Sequence, residues 1–304
     1  MKPSDIFPIP SGLIAATGLL FSASGPASAT IYDLAADWSD SANPHGPWSY
    51  NEGANPLPHV SAWQGLSGDF TTAQPAWARG PVGNTNLPCW FKSSATVGVA
   101  HDWQTGDVIT HSTDGFNGVG SGPANVTWAC PGNGAVNISG AVWMGRDIGR
   151  GNHWTLSINS TALSGGDVFS GDISSRASPF NFTNGSGGAA VLANLSVSTG
   201  DTFKLQLDKT SSPGDYTGVN FTIVFTPAFM LRITDVDKLT NDLRLTFTSQ
   251  AGSNYAIQAR TNLVNDPWLT LAGTTNLAAG SLLQTTLTNA FTRPQRFFRV
   301  EQLP

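Results

Sequence analysis

The chain has 304 residues and a formal net charge of −5, and only 12% of its residues are charged, against about 25% in an average globular domain. Residues 30–228 hold 14 acidic against 7 basic side chains, whereas residues 229–304 hold 5 against 7. Proteins that bind a phosphate backbone collect basic side chains on one face, so the composition excludes nucleic acid as the expected partner and is typical of extracellular β-sandwiches.

Residues 1–29 predict a signal peptide. Lys2 precedes an apolar run over residues 13–21, and residues 27–29, Ala-Ser-Ala, form the A-x-A pattern that signal peptidase cleaves. A membrane anchor is the alternative, but the run is much shorter than the roughly 20 apolar residues that span a bilayer core. We therefore expect a mature chain that begins at Thr30, is secreted or held at the cell surface, and has no membrane span.

Ten tryptophans are many for this length. An exposed indole can stack on the C–H face of a sugar while its N–H binds a polar partner, whereas filling a sandwich core is the alternative for any single tryptophan. Trp128 and Trp154 lie in strand patterns and are expected in the core. Four others lie among turn residues and are expected to be exposed and to bind ligand: Trp48, Trp63, Trp77 and Trp103.

Cys89 and Cys130 are the only cysteines. An exported chain with an even cysteine count is expected to oxidise them, and closing this loop would stabilise the fold by roughly 4 kcal/mol. A catalytic thiol or a metal-binding pair is the alternative, but the spacing is unlike that of metal ligands. The sequence therefore predicts a Cys89–Cys130 disulfide.

Histidine and aspartate concentrate between residues 101 and 114, where His101, Asp102 and His111 are candidate ligand-binding residues. Histidine can serve as a base or a metal ligand, yet no histidine spacing typical of zinc is present. We therefore expect no cofactor, with calcium as an open alternative, because loop carboxylates bind that ion in some sandwiches. The candidate carboxylates are Asp33, Asp37, Asp40, Asp167, Asp172 and Asp215.

Short alternating segments bounded by turn residues predict β-strands along the chain and almost no helix. Many short strands without intervening helices indicate a sandwich or jelly roll. Before residue 228 the clearest predicted strands are 126–130, 135–142, 154–158, 202–207 and 219–225, with turns at 131–134 and 212–215.

The densest polar cluster lies between two predicted strands, over residues 143–154. It contains Arg146, Asp147 and Arg150, and an arginine offers a planar fork of donors to carboxylates or sugar hydroxyls. An internal Arg–Asp pair that holds the turn is the alternative. We take these three residues as candidate ligand contacts.

A domain boundary is predicted near residues 226–228, where a new pattern of short strands begins. The predicted organisation is a signal peptide at 1–29, a jelly-roll domain at 30–228 and a smaller fibronectin- or immunoglobulin-like sandwich at 229–304. The strands predicted in the last domain are 231–233, 243–247, 255–259, 282–287 and 296–300.

Several of these stretches resemble a group of exported bacterial proteins, many of which end in PEP-CTERM sorting signals. The similar residues are 32–39 (YDLAADWS), 126–131 (VTWACP), 134–136 (GAV) and 200–203 (GDTF). The resemblance implies a jelly roll like those of carbohydrate-binding modules over residues 31–226. The chain departs from the group in having a cysteine at 130 and no PEP-CTERM tail.

The last domain has a resemblance of its own. Residues 255–259 (YAIQA), Trp268 and residues 296–300 (RFFRV) look like the small C-terminal β-domain of large exported proteins of Verrucomicrobia. That module resembles a fibronectin type III sandwich. The resemblance implies a spacer or attachment unit.

These features favour a non-catalytic secreted or surface protein that binds glycan or extracellular matrix through the jelly-roll domain. A structural surface protein without a small ligand is the first alternative. A polysaccharide hydrolase or lyase that uses His101, His111 and a nearby aspartate is the second, because two carboxylates are enough to hydrolyse a glycoside. No G-x-S-x-G motif or phosphate-binding glycine loop occurs, so an enzyme is the less favoured interpretation.

Overall fold

A computed structural model describes residues 7–9, 29–64, 73–81, 86–95, 101–113, 122–171, 174–291 and 296–303. These residues form antiparallel strands and two short 3-10 helices, Phe182–Asn184 and Ala190–Leu192. The predicted all-β fold class is confirmed. The chain divides into two compact units, a larger one at 29–227 and a smaller one at 228–304. The strand at residues 7–9 belongs to the smaller unit.

Twenty-three strands are present in the described part of the chain. In chain order they are β1 (Phe7–Ile9), β2 (Thr30–Asp33), β3 (Trp48–Glu52), β4 (Asn55–Pro56), β5 (His59–Trp63), β6 (Gln74–Ala78), β7 (Cys89–Lys92), β8 (Val108–His111), β9 (Ala124–Ala129), β10 (Gly134–Met144), β11 (Gly151–Ile158), β12 (Thr161–Phe169), β13 (Phe180–Asn181), β14 (Leu195–Val197), β15 (Thr202–Lys209), β16 (Tyr216–Pro227), β17 (Ile233–Leu239), β18 (Asp242–Thr248), β19 (Asn254–Arg260), β20 (Leu269–Thr270), β21 (Asn276–Leu277), β22 (Leu282–Leu287) and β23 (Arg296–Gln302).

The larger unit is a sandwich of two antiparallel sheets. One has nine strands in the order β13-β10-β16-β8-β7-β6-β5, with β14 added to β10 and β2 added to β16. The other has six strands in the order β12-β11-β15-β9-β3-β4. The long pair β10 and β16, in register from Gly134↔Pro227 to Met144↔Thr217, forms the middle of the nine-stranded sheet.

Apolar side chains lie on both faces of the nine-stranded sheet, because neighbouring residues of a strand point to opposite faces. On β7, Trp90 belongs to the core that the two sheets share, whereas Cys89 and Phe91 belong to a cluster on the other face. We call the shared one the main core. The second, the outer aromatic cluster, consists of Trp63, Ala76, Ala78, Leu87, Cys89, Phe91, Trp103, Ile109, Trp143 and Tyr216.

The strands predicted in the larger unit are all present. The five predicted segments fall within β9, β10, β11, β15 and β16, apart from Cys130, and each strand extends beyond the predicted alternation by up to three residues at either end. Strands β2 to β8 and β12 to β14 are not among the predicted segments, since most of their sequences are short or interrupted by turn residues. Hydrogen bonds to neighbouring strands hold such segments extended where their own pattern is weak.

The smaller unit is also a sandwich. A sheet ordered β1-β23-β19-β20, with β21 on β19, faces a three-stranded sheet ordered β17-β18-β22. Their shared core includes Phe247, Tyr255, Ile257 and Phe298. Four of its five predicted strands correspond to β18, β19, β22 and β23. The strand predicted at 231–233 overlaps β17 only at Ile233, because pairing with β18 places β17 at Ile233–Leu239.

Most of the predicted signal peptide lies outside the described residues. Of residues 1–29 the structure describes Ala29 and Phe7–Ile9, the latter as the strand β1 on the edge of β23, so removal of residues 1–29 stays a prediction. Among the described residues, no helix has the length and apolar character that crossing a bilayer requires.

Candidate functional site

A cleft of about 400 Å³ opens where β10 and β12 of the larger unit end. We call it the His101 cleft. Its lining combines an imidazole, two carboxylates, a guanidinium, serine hydroxyls and a phenyl ring. The lining residues are His101, Asp102, Met144, Arg146, Asp147, Phe169, Ser170, Gly171, Ser174 and Ser175.

Backbone pairing brings the two predicted polar clusters to this cleft. His101 forms an isolated antiparallel bridge with Arg146, and the amide of Asp102 donates to the carbonyl of Gly145 over 2.8 Å. The carbonyl of Asp102 accepts from Trp143 Nε1 at 2.7 Å. The segment beginning at His101 therefore pairs with the residues that follow β10, which places residues 45 positions apart in one site.

The turn after β10 is held by a serine from the end of β12. Ser170 Oγ donates to the carbonyl of Arg146 at 2.8 Å and accepts from the amides of Ile148 at 3.2 Å and Arg150 at 3.3 Å. The amide of Ser170 in turn donates to the Arg150 carbonyl over 2.8 Å. These bonds fix the backbone that presents Arg146 and the exposed Asp147 to the cleft.

Phe169 is the aromatic wall of the cleft. It ends β12, and 44% of its surface is exposed, although burial of a phenylalanine side chain is favourable by about 1.5–3 kcal/mol. Its ring lies against Gly151, where an added Cβ would overlap two ring carbons. The glycine thus gives the ring a flat backbone support beside the polar groups.

Asp102 is oriented by a second loop. Its Oδ2 accepts the amide of Arg176 at 2.7 Å, while the Arg176 guanidinium binds both oxygens of Asp107 at 2.6 and 3.0 Å. A bidentate Arg–carboxylate pair has a defined geometry. It fastens the loop after residue 174 to the His101 segment and stiffens this side of the cleft.

A buried carboxyl, Asp215, lies among the charged groups of the site. Desolvation by burial raises its pKa to about 7, against the opposing effects of the Tyr216 amide and of Arg150, Arg146 and His101. Its Oδ1 accepts from the amide of Tyr216 at 2.8 Å. Its Oδ2 has no hydrogen-bond partner among the described residues, so this carboxyl is held close to the point of ionisation at neutral pH.

Polar side chains around Asp215 link the two sheets. Asn152 of β11 donates to the Asp215 carbonyl at 2.8 Å and to Thr217 Oγ1 at 2.7 Å, and Ser112 Oγ donates to Asn152 Oδ1 at 2.7 Å. All four residues are completely buried. A hydrogen-bonded network of this kind keeps buried polar groups satisfied, and it fixes the backbone on which Asp215 sits.

The structure brings together some of the predicted site residues and separates others. His101, Asp102, Arg146 and Asp147 line one cleft, and Arg150, on the same turn, donates to the carbonyl of Gly214 at 3.0 Å. His111 is buried on β8; its Nδ1 lies 2.8 Å from the Ser112 carbonyl oxygen. Its ring packs on Tyr216 with centroids 4.6 Å apart, so His111 does not line the cleft.

The expected exposure of four tryptophans is wrong. Trp48, Trp63, Trp77 and Trp103 each expose 3% of their surface or less. Trp48 Nε1 donates to Asp37 Oδ2 and Trp77 Nε1 to the Ser39 carbonyl, both at 3.0 Å. The glycines, prolines and asparagines beside them mark bends between short strands and not open loops. Buried indoles cannot stack on a sugar from solvent, and only Trp103 adjoins the cleft, with its ring centroid 4.7 Å from that of His101.

The predicted disulfide is also wrong, since Cys89 and Cys130 are both free and buried. Cys89 belongs to the outer aromatic cluster on one face of the nine-stranded sheet, and Cys130 belongs to the main core on the other. The Cys130 thiol donates to the carbonyl of Gly132 at 3.0 Å. The sheet backbone therefore separates the two sulfurs, and burial raises the pKa of both thiols.

The candidate calcium carboxylates have separate surroundings in the described part of the chain. No group of three or more His, Cys, Asp or Glu in these parts of the chain is arranged to hold a metal ion. Asp33 and Asp37 use their oxygens to bind backbone amides and side chains nearby. The candidate Asp172 lies outside the described residues.

Sequence reasoning missed Phe169, the serines of the cleft and the burial of Asp215. Phe169 ends an alternating strand, and a phenylalanine in that position is expected to be buried in the core. Asp215 occupies a predicted turn, where a carboxylate is expected in solvent. No local signal distinguishes either one, because both depend on which distant strands lie beside them.

Comparisons with known proteins give only remote likenesses. No family model matches the chain, and no curated protein matches it in sequence. One similar solved structure is the N-terminal CBM22-1–CBM22-2 tandem of Xyn10C from Paenibacillus barcinonensis, with 11% identity, 93% of this chain and 92% of that one covered, and a TM-score of 0.31. Another is the glycoside hydrolase domain of Endo-D from Streptococcus pneumoniae R6, with 8% identity, 80% of this chain and 38% of that one covered, and a TM-score of 0.19. Neither likeness assigns a family or a function to this chain.

Proposed function

We propose that the larger unit binds glycan in the His101 cleft. The observation that carries the proposal is Phe169, a phenyl ring left 44% exposed at the wall of a polar cleft. An aromatic face can pack on the C–H face of a sugar ring. A few polar groups that converge on such a surface then set the orientation of a ligand.

The polar lining suits hydroxyl groups. A sugar hydroxyl both donates and accepts hydrogen bonds, and the cleft offers donors on Arg146 and acceptors on Asp102 and Asp147. The larger unit carries a net charge of −7 over residues 30–228. This acidic balance favours a neutral glycan over a polyanion, because like charges repel at a binding surface.

The proposal extends to location and organisation. The pattern at 1–29 supports export, and an exported glycan-binding protein meets its ligand outside the cell or at its surface. We assign residues 30–228 as a jelly-roll binding domain and residues 229–304 as a fibronectin-like spacer or attachment module, on the sequence resemblances to exported bacterial proteins.

Depletion of the purified chain by a panel of insoluble polysaccharides and peptidoglycan tests the proposal, with and without calcium. Phe169→Ala is the key variant, and loss of its contact should weaken binding by about 10- to 100-fold, from roughly 1.5–3 kcal/mol of buried aromatic surface. Ile31→Ala is the matched control, because Ile31 is a 66% exposed apolar residue of the same unit, on β2. Retention by no polymer would favour the alternative of a structural surface protein without a small ligand, and equal retention of both variants would show that glycan binds outside the His101 cleft.

A polysaccharide hydrolase or lyase is the second candidate, and Asp215 is the observation that favours it. Its pKa of about 7 gives this carboxyl the protonation of a general acid. Although it is completely buried, it interacts electrostatically with His101 and Arg146, which line the cleft. Release of soluble oligosaccharide that disappears in Asp215→Asn and His101→Ala would support catalysis. Wild-type protein that retains polymer and releases no sugar would leave binding as the function.

A further inference from the structure

Two arginines of the smaller unit stack on one tryptophan. The Cζ atoms of Arg260 and Arg299 lie 4.3 and 4.7 Å from the ring centroid of Trp268. Arg299 is also engaged by its neighbours, since its Nε donates to Gln258 Oε1 at 2.8 Å and its Nη2 lies 3.6 Å from Glu301 Oε1. The indole therefore holds two guanidinium groups in place at the end of β19.

Arg260 differs from Arg299 in having no acidic partner among the described residues. Its Nε is buried and no acceptor there bonds it, and the stack on Trp268 is the one interaction that its side chain makes among the described residues. Leaving a buried charged donor unsatisfied is unfavourable. The Arg260 side chain as a whole is only partly buried, so an anionic oxygen from outside the chain would bind its terminal guanidinium nitrogens and not the buried Nε.

The loop between Arg260 and Trp268 has an apolar tip. A hydrogen bond from Thr261 Oγ1 to Asp266 Oδ2 closes the base of the loop, and the amide of Val264 donates to Asn262 Oδ1 at 2.9 Å. At the tip, Val264 is 86% and Leu263 37% exposed. Two adjacent apolar side chains thus project into solvent, three and four residues after Arg260 in the chain.

We infer that residues 260–269 form a docking site for an anionic phospholipid surface. The lipid phosphate would accept hydrogen bonds from Arg260, and Leu263 and Val264 would enter the acyl boundary, as apolar side chains do at membrane surfaces. The half-buried Trp268 has the apolar body and polar edge that suit this interface. Residues 229–304 carry a net charge of +2, so attraction to an anionic surface belongs to this unit and not to the acidic larger one.

Co-sedimentation of the full chain with vesicles tests the inference. Vesicles of phosphatidylglycerol and phosphatidylcholine should bind the protein, and vesicles of phosphatidylcholine alone should not. Arg260→Gln should weaken binding about fivefold, and Leu263→Ser combined with Val264→Ser should weaken it about tenfold or more. The matched controls are Arg232→Gln and Val236→Ser, two exposed residues of the same unit that lie outside the loop.

Three results would overturn the inference. One is the absence of wild-type binding to anionic vesicles. Another is binding that Leu263→Ser/Val264→Ser leaves unchanged and inorganic phosphate abolishes, which would indicate a site for soluble anions. The third is equal loss in the two control variants, which would indicate diffuse attraction. Phe169→Ala should bind vesicles like the wild type, so failure at the loop and failure at the His101 cleft are distinguishable.

Discussion

The main core and the outer aromatic cluster lie on the two faces of the same nine-stranded sheet, yet they do different things. The main core contains side chains from both sheets, whereas all strand residues of the outer cluster come from the nine-stranded sheet alone. The outer cluster reaches the His101 cleft, where Trp103 contacts His101 with ring centroids 4.7 Å apart. The comparison indicates that the main core holds the sandwich together and that the outer cluster shapes the candidate site.

The largest effect should come from the main core. Trp154→Ala removes a fully buried indole that packs against Phe180 and Phe182, with ring centroids 5.6 and 5.1 Å away. We expect the free energy of unfolding to fall by about 3–5 kcal/mol, because the change loses transfer energy and leaves a cavity. Urea unfolding followed by fluorescence measures it. Ile31→Ala is the exposed control, and a loss of less than about 1 kcal/mol for Trp154→Ala would contradict the assignment of the main core.

Asp215, beside Tyr216 of the outer cluster, should make stability depend on pH. The raised pKa, about 7, keeps this carboxyl protonated in the folded protein between roughly pH 4 and that value, while the unfolded chain is ionised. The folded state then binds one proton more, so its stability falls as pH rises through this window, by roughly 1.4 kcal/mol per pH unit.

Unfolding of the wild type and of Asp215→Asn at several pH values isolates this contribution. The asparagine retains an oxygen that can accept the Tyr216 amide but cannot ionise, so its stability relative to the wild type should increase from pH 4 to pH 8. Parallel pH profiles for the two proteins would show that Asp215 ionises with an ordinary pKa.

A smaller effect should follow from overpacking the outer cluster. Gly218 of β16 lies opposite Trp143 of β10, and a Cβ at this position would overlap the indole. Gly218→Ala should cost about 1–3 kcal/mol of unfolding free energy, and it should also disturb the cleft. Gly132→Ala is the control, since its Cβ would lie 3.6 Å from Phe225 in ordinary contact. Equal stability of the two variants would mean that the outer cluster is loosely packed.

The last prediction is that a reductant has no effect on stability. Because Cys89 and Cys130 lie on different faces of the sheet, a reductant should leave the Tm unchanged. Alkylation of the unfolded, unreduced protein should label both thiols. A crosslinked Cys89–Cys130 peptide in a non-reducing digest would contradict the separation of the two clusters.

The alternation of apolar and polar residues along a strand could be predicted from local sequence. The residues that lie next to it on other strands could not. The segments at 126–130 and 219–225 predicted strands correctly because one face of each is apolar. Trp63 and Trp77 were misplaced because their burial depends on strands β5 and β6, whose sequences contain few alternating residues. Turn residues beside a tryptophan indicate where the chain bends and give no information on what covers the ring.

The candidate site shows the same division. His101 and Asp102, and separately Arg146 and Asp147, were identified from their polar clusters. Their meeting depends on the bridge between His101 and Arg146, a contact between segments far apart in sequence. Local pattern cannot specify such a pairing, since a change of register moves every side chain to a different neighbour.

Sequence alone determined the all-β class, the principal strands and the acidic and basic parts of the chain, because strand period and composition are local properties. Tertiary structure alone decided that four tryptophans are buried, that Cys89 and Cys130 are apart, that Phe169 stays exposed and that Asp215 is desolvated. These outcomes depend on which distant strands pack together, and burial, pKa and reactivity all follow from that packing.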